Sequence, residues 1–268
     1  MNLNLTDQVA FIAGSSRGIG RAIAAALLAE SANIVITGRD RDALTRTHNE
    51  LATPDNHHRI LAITGNFSDP ATIDDAYQRT VKHFGRLDHL VANLGTGSGK
   101  PGWQQNESEW TRLFDANFFA SVRLAQAAIP HLSPAAGERP THSAPPNRSI
   151  LFISSITAVE ATPSPLPYSA AKAALTNYAK NLSRLLAPER IRVNTLCPGN
   201  IFFPGGSWER HLSNRRVDVE QMLTTEVPQN RFGSPEEIAS LAAFLCSPAA
   251  AFSTGSTYII DGGQTRTI

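Results

Sequence analysis

Short runs rich in β-branched and other apolar residues recur along the chain at 9–13, 33–37, 59–64, 87–93, 149–154, 192–197 and 257–260. Between them, apolar positions repeat at helical spacing over 21–30, 73–84, 110–132, 168–186 and 235–246. A strand covered on both faces has no reason to alternate apolar with polar side chains, and strands separated by helices pair in parallel with those helices packed above and below. The pattern therefore predicts an α/β, doubly wound, seven-stranded parallel sheet with helices on both faces. No repeat of ~20–50 residues interrupts it, and 268 residues suit one domain, 1–268, with a substantial core.

One stretch departs from the pattern. The segment 133–149, "SPAAGERPTHSAPPNRS", is rich in proline and polar residues and reads as a long surface connection between a helix and the fifth strand. It enters that strand at its N-terminal edge, whereas ligands of such sheets gather at the C-terminal edges, so no chemistry is assigned to it.

Charge narrows the partners. Lys and Arg total 24 against 23 Asp and Glu, a net charge of +1 that offers no broad attraction for nucleic acid or an anionic membrane. Small molecules are the expected partners. Cys197 and Cys246 sit in apolar surroundings without metal-ligand spacing, and His57 and His58 lack a third ligand, so buried free thiols and no metal are expected. The first seven residues carry neither a basic nor an apolar segment, and no run of ~18 apolar residues occurs; the expected location is the cytoplasm.

The stretch "FIAGSSRGIG", residues 11–20, has two readings. Gly14, Ser16 and Gly18 fit G-x-S-x-G, a turn that exposes a nucleophilic serine. Such a hydrolase needs an acid and then a histidine later in the chain, and the last histidine, His211, has no strand-end context. The alternative is a glycine turn, G-x-x-x-G-x-G, in which Gly14, Gly18 and Gly20 follow a strand and precede a helix. Glycine tolerates positive φ and has no Cβ to hold off a pyrophosphate, while the free N–H groups of the helix's first turn receive its charge. This second reading requires companions to be specific.

Companions are present. Tyr168 and Lys172 form Y-x-x-x-K, and Ser155 lies 13 residues before Tyr168. Asn117 stands in "DANFFAS", Ala92-Asn93-Leu94-Gly95 follows the fourth strand, Pro198-Gly199 the sixth and Asp261-Gly262-Gly263 the last. With these motifs the chain, from about residue 5 to 265, resembles the single-domain branch of the short-chain dehydrogenases/reductases. The resemblance implies a Rossmann-type fold, a nicotinamide cofactor, and interconversion of a small-molecule carbonyl and a secondary alcohol. It implies a homotetramer or homodimer formed through the helices around 107–131 and 166–187, and a substrate lid around 200–232.

The residue chemistry suits that implication. Tyr168 and Lys172, four apart, share one helix face. A phenol of pKa ~10 is a poor acid near neutrality, but an ammonium ~4 Å away at an effective dielectric of ~20 favours the phenolate by about 4 kcal/mol, before desolvation takes some back. By the resemblance, Tyr168 is the general acid and base, Lys172 also binds the nicotinamide ribose, Ser155 holds the reacting oxygen, and Asn117 holds a water in a proton relay behind Lys172. Cofactor contacts fall on Gly14, Ser16, Arg17, Gly18, Ile19, Gly20, Arg39, Asn66, Phe67, Asn93, Gly95, Tyr168, Lys172, Pro198, Gly199 and Ile201. Taken alone, Tyr168 and Lys172 could be an ordinary half-exposed helix pair, and an NADP-sensing protein without turnover would keep the glycine turn and Arg39.

Where an NAD enzyme places a carboxylate after the second strand, this chain has Gly38 followed by Arg39. A carboxylate repels a 2′-phosphate, and a guanidinium can grip one through two hydrogen bonds. With Arg17 near the same place, NADP(H) is expected over NAD(H). Arg39 could instead pair with Asp40 or Asp42. Three departures from the family pattern stand out: Asn66-Phe67 in place of an aspartate and an aliphatic residue at the adenine, Leu94 in place of a smaller residue, and Phe203 in place of a cofactor-binding threonine. Phe202, Phe203, Trp208 and Met222 could form an apolar substrate wall faced by the loop 97–103, or merely pack the lid.

Overall fold

The computed structural model describes residues 3–100, 102–132 and 147–267. Seven strands form one parallel sheet: β1 (Val9–Ala13), β2 (Asn33–Gly38), β3 (Ile60–Thr64), β4 (His89–Ala92), β5 (Arg148–Ile153), β6 (Ile191–Pro198) and β7 (Thr257–Ile260). Their order is β3-β2-β1-β4-β5-β6-β7, with pairings such as Ala10 opposite His89 and Phe11 opposite Val35. Chain order reverses between β1 and β4. A doubly wound sheet opens its ligand crevice at such a reversal, beyond the C-terminal ends of the strands.

The helices are α1 (Gly18–Ala29), α2 (Arg41–Leu51), α3 (Pro70–Phe84), α4 (Glu107–Phe114), α5 (Ala120–Leu132), α6 (Leu166–Leu186), α7 (Ser207–Glu226) and α8 (Pro235–Cys246). α1 packs against α8 on one face of the sheet, burying Ile23, Leu27, Ile238 and Ala242 with Ile12, Ile34 and Leu196. α3, α5 and α6 cover the other face, where Tyr77, Leu124 and Leu175 meet Phe11, Leu90 and Phe152. Both faces of β1 are thus in core, which is why all five of its side chains are buried. Local chemistry sets the helix starts. Asp69 accepts the N–H of Thr72 ahead of Pro70, and Ser234 and Glu237 close a reciprocal capping box on α8.

Three departures from the hydrophobic pattern have physical reasons. α2 is polar along most of its length and buries only Leu44 and Thr47, so apolar spacing does not reveal it; the Asp40 side chain starts it by accepting from Ala43 N. α7 buries only Val219 and is broken at Arg215, whose φ of −148° and ψ of 53° are not helical. The expected single helix at 110–132 is two helices joined by a π-helical turn, Asp115–Phe119. There the Asn117 amide donates to the Leu113 carbonyl (2.9 Å), so a side chain takes up an acceptor that α-helical geometry gives to the backbone, and the turn widens. Of the expected surface connection at 133–149, residues 133–146 lie outside the described residues.

Candidate functional site

The glycine turn lies between β1 and α1, at the sheet's reversal point. Gly14 and Gly18 have φ of +67° and +55°, conformations that L side chains resist. A Cβ on Gly20 would fall 2.3 Å from the Gly14 carbonyl oxygen and 2.6 Å from Nδ2 of Asn93, which itself donates to Gly14 O at 3.0 Å. Asn93 thus ties the end of β4 to the turn. The Gly14 N–H is donated to the Thr37 hydroxyl (3.1 Å), and Thr47 donates to the Ser16 carbonyl (2.8 Å). No side chain caps α1. Its first-turn N–H groups, which lack intrahelical acceptors, form a cradle suited to an anion.

Other expected cofactor residues surround this turn in different capacities. Arg39 is exposed just past β2, and its neighbour Asp40 is committed to capping α2, so the alternative Arg39–Asp40 pairing is not formed. Among the described residues no hydrogen bond or ion pair holds the Arg39 guanidinium. Arg17 is also exposed, but its Nη1 donates to the Gly205 carbonyl (3.1 Å). Asn66 is exposed and its Oδ1 accepts from Ser68 N (3.3 Å). Phe67 corrects an expectation. Its ring is buried against Phe11 with centroids 5.8 Å apart, so only its backbone remains for an adenine. Ile19 and Ile201 likewise turn their side chains into the core. Pro198 ends β6, and Gly199 donates its N–H to Ile260 O (2.9 Å) so close to Asp261 that a Cβ would overlap it at 2.7 Å.

The three residues expected to react converge beyond β5. Ser155 is the second residue past that strand; its hydroxyl accepts from Thr157 N (3.2 Å) and lies near enough to the Tyr168 phenol to lower its pKa. Tyr168, in the first turn of α6, is partly exposed. One turn on, Lys172 is buried, and its ammonium donates to the Ile153 carbonyl (2.9 Å). Asn117 joins from the π turn. Its side chain accepts from Thr96 N (2.9 Å) and donates to Thr96 O (3.0 Å), and a Cβ on Gly95 would lie 2.7 Å from its Oδ1 and 3.1 Å from Lys172 Nζ. Gly95, with φ of +157°, is what lets the chain pass between them.

The electrostatics differ from the sequence expectation. Burial raises the Tyr168 pKa above the usual phenol value, and the opposing pull comes from the Ser155 hydrogen bond rather than from Lys172. Burial lowers Lys172 to about 8. The ammonium is spent on a backbone carbonyl, so its field does not dominate the phenol, and the desolvation that the pairwise estimate set aside decides the sign.

Sequence reading also missed the layer beneath. Ser154 donates to the Lys172 carbonyl (3.1 Å) and meets the Thr176 hydroxyl (3.0 Å), which also bonds that carbonyl (3.0 Å). The spacing of Thr176 four residues after Lys172 was the available signal. The buried Cys197 thiol lies against this group and is free, with burial raising its pKa. Farther out, Trp208 packs on Phe232 (centroids 5.2 Å apart), Phe232 on Phe202 (5.8 Å), and Asn200 donates to Met222 Sδ (3.4 Å). Phe203 does not join that wall: its ring lies on Gly18. Among the described residues no group of three or more His, Cys, Asp or Glu is placed to hold a metal, and no helix is long and apolar enough to cross a membrane.

A parallel, doubly wound sheet with a glycine turn at its reversal and a serine, tyrosine and lysine grouped beyond the neighbouring strand defines a Rossmann-type oxidoreductase class. Comparison with known proteins agrees. A family model described as enoyl-(acyl carrier protein) reductase matches residues 13–265. Isoepoxydon dehydrogenase patN of Aspergillus clavatus is 32% identical over 259 residues, spanning 94% of this chain and 92% of its own length. The 3-oxoacyl-[acyl-carrier-protein] reductase FabG of Escherichia coli is 30% identical over 262 residues, covering 98% of this chain and 99% of its own. Among solved structures, L-sorbose reductase of Gluconobacter frateurii, complexed with NADPH and L-sorbose, superposes with a TM-score of 0.88 at 32% identity over 100% of both chains. The chain belongs to the short-chain dehydrogenase/reductase family of oxidoreductases.

Proposed function

We propose that the protein is an NADP(H)-dependent oxidoreductase that interconverts a carbonyl and a secondary alcohol on a small molecule. The observation that carries this reading is the convergence of Ser155, Tyr168 and Lys172 beside an uncapped glycine turn at the point where strand order reverses. The residues fit a dinucleotide: no side chain caps the first turn of α1, Gly14, Gly18 and Gly20 form a turn so tight that a Cβ at any of them would clash, and Gly95 keeps a side chain away from Lys172.

When bound, NADP(H) supplies or accepts the hydride. In reduction the Tyr168 phenol donates its proton to the carbonyl oxygen, and in oxidation the phenolate takes the alcohol proton. Ser155 donates to the same oxygen and keeps it within reach of Tyr168. A phenol held neutral by burial is ready to act as the acid, which suits the reductive direction. Lys172, held charged below about pH 8 by its own protonation, binds the ribose hydroxyls beside it and biases Tyr168 toward the anion once its ammonium turns from Ile153 O. Asn117 spends both amide protons on Thr96 and Leu113, so it shapes the loop around Lys172 and offers only acceptor oxygens to a relay water.

Preference for NADP(H) is supported by the uncommitted Arg39 guanidinium past β2, and by the NADPH that L-sorbose reductase carries. The segment around 200–232, containing α7, is the substrate lid of the single domain 1–268. A second copy of the chain covers α4 and α5, where Trp110, Thr111, Phe114, Asp115, Phe119 and Arg123 line an exposed, largely apolar hollow. The serine-hydrolase reading gains nothing, because Ser16 sits against Gly38 and Thr47 while His211 pairs with Arg215.

The test is a carbonyl substrate panel assayed with NADPH and with NADH. NADPH oxidation with a kcat/KM ratio favouring NADPH is expected, and Arg39→Asp lowers that ratio about 10-fold or more, the loss of a charge-assisted contact worth ~1.5–3 kcal/mol. Turnover with neither nucleotide, although NADPH binds, would leave the NADP-sensing reading; an unchanged ratio in Arg39→Asp would remove Arg39 from the phosphate site.

A further inference from the structure

The cradle has one misfit. At Gly18 a Cβ would meet Cζ, Cε2 and Cε1 of Phe203 at 2.7, 2.8 and 2.9 Å, so the tip of an aromatic ring rests on the glycine turn at the start of α1. The same ring also comes close to Gly206, where a Cβ would lie 3.2 Å from Cε2 and Cζ. The tip of Phe203 is therefore packed against two glycines, one in the cradle and one immediately before α7. The tight turn that aims it is closed by the Gly206 N–H, which donates to Phe203 O (3.0 Å).

Two further bonds clamp the same strip of chain. Arg17, inside the glycine turn, donates to Gly205 O (3.1 Å), and the Gly205 N–H is donated to Oε2 of Glu209 (2.8 Å) in the first turn of α7. A continuous series of contacts thus runs from the cradle through Gly205 into the lid helix. Gly205, at φ of +76°, takes a conformation that few other residues would hold there.

We infer that Phe203 is a plug of the phosphate cradle, so that entry of the dinucleotide and displacement of the lid's first turn are one event. This rests on the proposed cofactor reading. A pyrophosphate stabilised by first-turn N–H groups must come within about 3 Å of them, and an aromatic ring in contact with Gly18 both fills that space and keeps water and charge away. Binding then requires the ring to swing out. Arg17 must exchange a neutral carbonyl for a phosphate, which a guanidinium binds more strongly, so the incoming anion itself supplies the force that undoes the clamp. The apparent affinity is lowered by the fraction of molecules in which the plug is closed.

Stopped-flow and equilibrium binding of NADPH, read by its fluorescence, test the inference on the wild-type protein, Phe203→Ala and Phe203→Val, with folding checked by circular dichroism. In the wild type the observed rate should level off as NADPH rises, because opening limits it. In both variants it should climb linearly, with Kd lowered about 5- to 10-fold, as expected if the closed form predominates by that ratio. Trypsin cleavage after Arg210 and Arg215 gives a second readout: without NADPH, the variants should be cut at the rate that the NADPH-bound wild type shows. A linear wild-type rate with unchanged or weakened affinity in both variants would overturn the plug while leaving the cofactor reading intact. Failure of all three folded proteins to bind NADPH or NADH would overturn both.

Discussion

The two edges of the sheet treat polar groups in opposite ways. At the N-terminal edge, His89 of β4 bonds Ser149 Oγ (2.9 Å) and Gln8 Oε1 (2.7 Å), Asn147 donates to Gln8 Oε1 (2.8 Å) and Cys246 O (2.7 Å), and Arg192 donates to Leu245 O (2.7 Å) and Asn147 Oδ1 (2.9 Å). Asp88 accepts from Val9 N (2.8 Å) while Arg86 holds its carboxylate. Strands β1, β4, β5 and β6 and the end of α8 are stitched together there, and every group named spends its bonds inside the protein. At the C-terminal edge Gly14, Gly18 and Gly95 hold positive φ, Tyr168 stays partly exposed, and Lys172 is buried as a cation with a carbonyl for company. One edge is built for stability; the other holds groups short of partners where a ligand can complete them.

The sharpest way to break this contrast is to exchange the two edges' roles by mutation. Tyr168→Phe should lower kcat about 10²- to 10⁴-fold, the range of a lost general acid, while shifting the urea midpoint by less than ~0.5 kcal/mol equivalent. His89→Gln should do the reverse. Loss of stability in Tyr168→Phe, or of kcat in His89→Gln, would mean that the edges are not separable.

A smaller effect comes from acid. Burial lowers the His89 pKa from 6.5 to about 4, against the neighbouring Asp88 carboxylate, which favours the charged ring. The unfolded chain therefore binds a proton that the folded one refuses, so the stability from a neutral His89 is complete above about pH 6.5 and is lost as pH falls toward 4. Between pH 7 and 5 that loss amounts to about 2 kcal/mol at 1.36 kcal/mol per pKa unit, read as the difference in urea midpoint between wild type and His89→Gln.

At the other edge the pH dependence has the same sign, falls in a more alkaline window and is smaller. Lys172 falls from 10.5 to about 8 on burial, so its charge burdens the folded state below about pH 8 and stability rises as pH climbs from there to 10.5. From pH 7 to 9 the wild type should gain about 1 kcal/mol relative to Lys172→Met, measured by the same denaturation. A flat difference would show that Lys172 is already solvated and that this edge holds no strained charge.

Much of the fold was legible because it depends on local spacing. All seven strands show as runs rich in apolar residues, because most of their positions face the core; β1 and β4 are buried throughout, whereas β6 carries Arg192, Asn194 and Thr195 and the edge strand β7 is partly exposed. The glycine turn and the pairing of Tyr168 with Lys172 are likewise short-range features. What escaped were elements stabilised by contacts distant in sequence or by caps: α2, with only two buried residues, and α7, with one. The π turn at Asn117 escaped because its cause, a side chain bridging Leu113 and Thr96, joins residues 21 apart as well as neighbours.

By itself the sequence determined the layer order, the candidate trio and the anion cradle, because hydrophobic period, helical spacing and glycine's freedom act over a few residues. Only the tertiary structure decided the charges and the access: that Lys172 spends its ammonium on Ile153, that burial rather than the lysine governs Tyr168, and that Phe203, 185 positions beyond Gly18, lies on the cradle. Desolvation and steric exclusion depend on everything that surrounds a group, and most of those neighbours are remote along the chain.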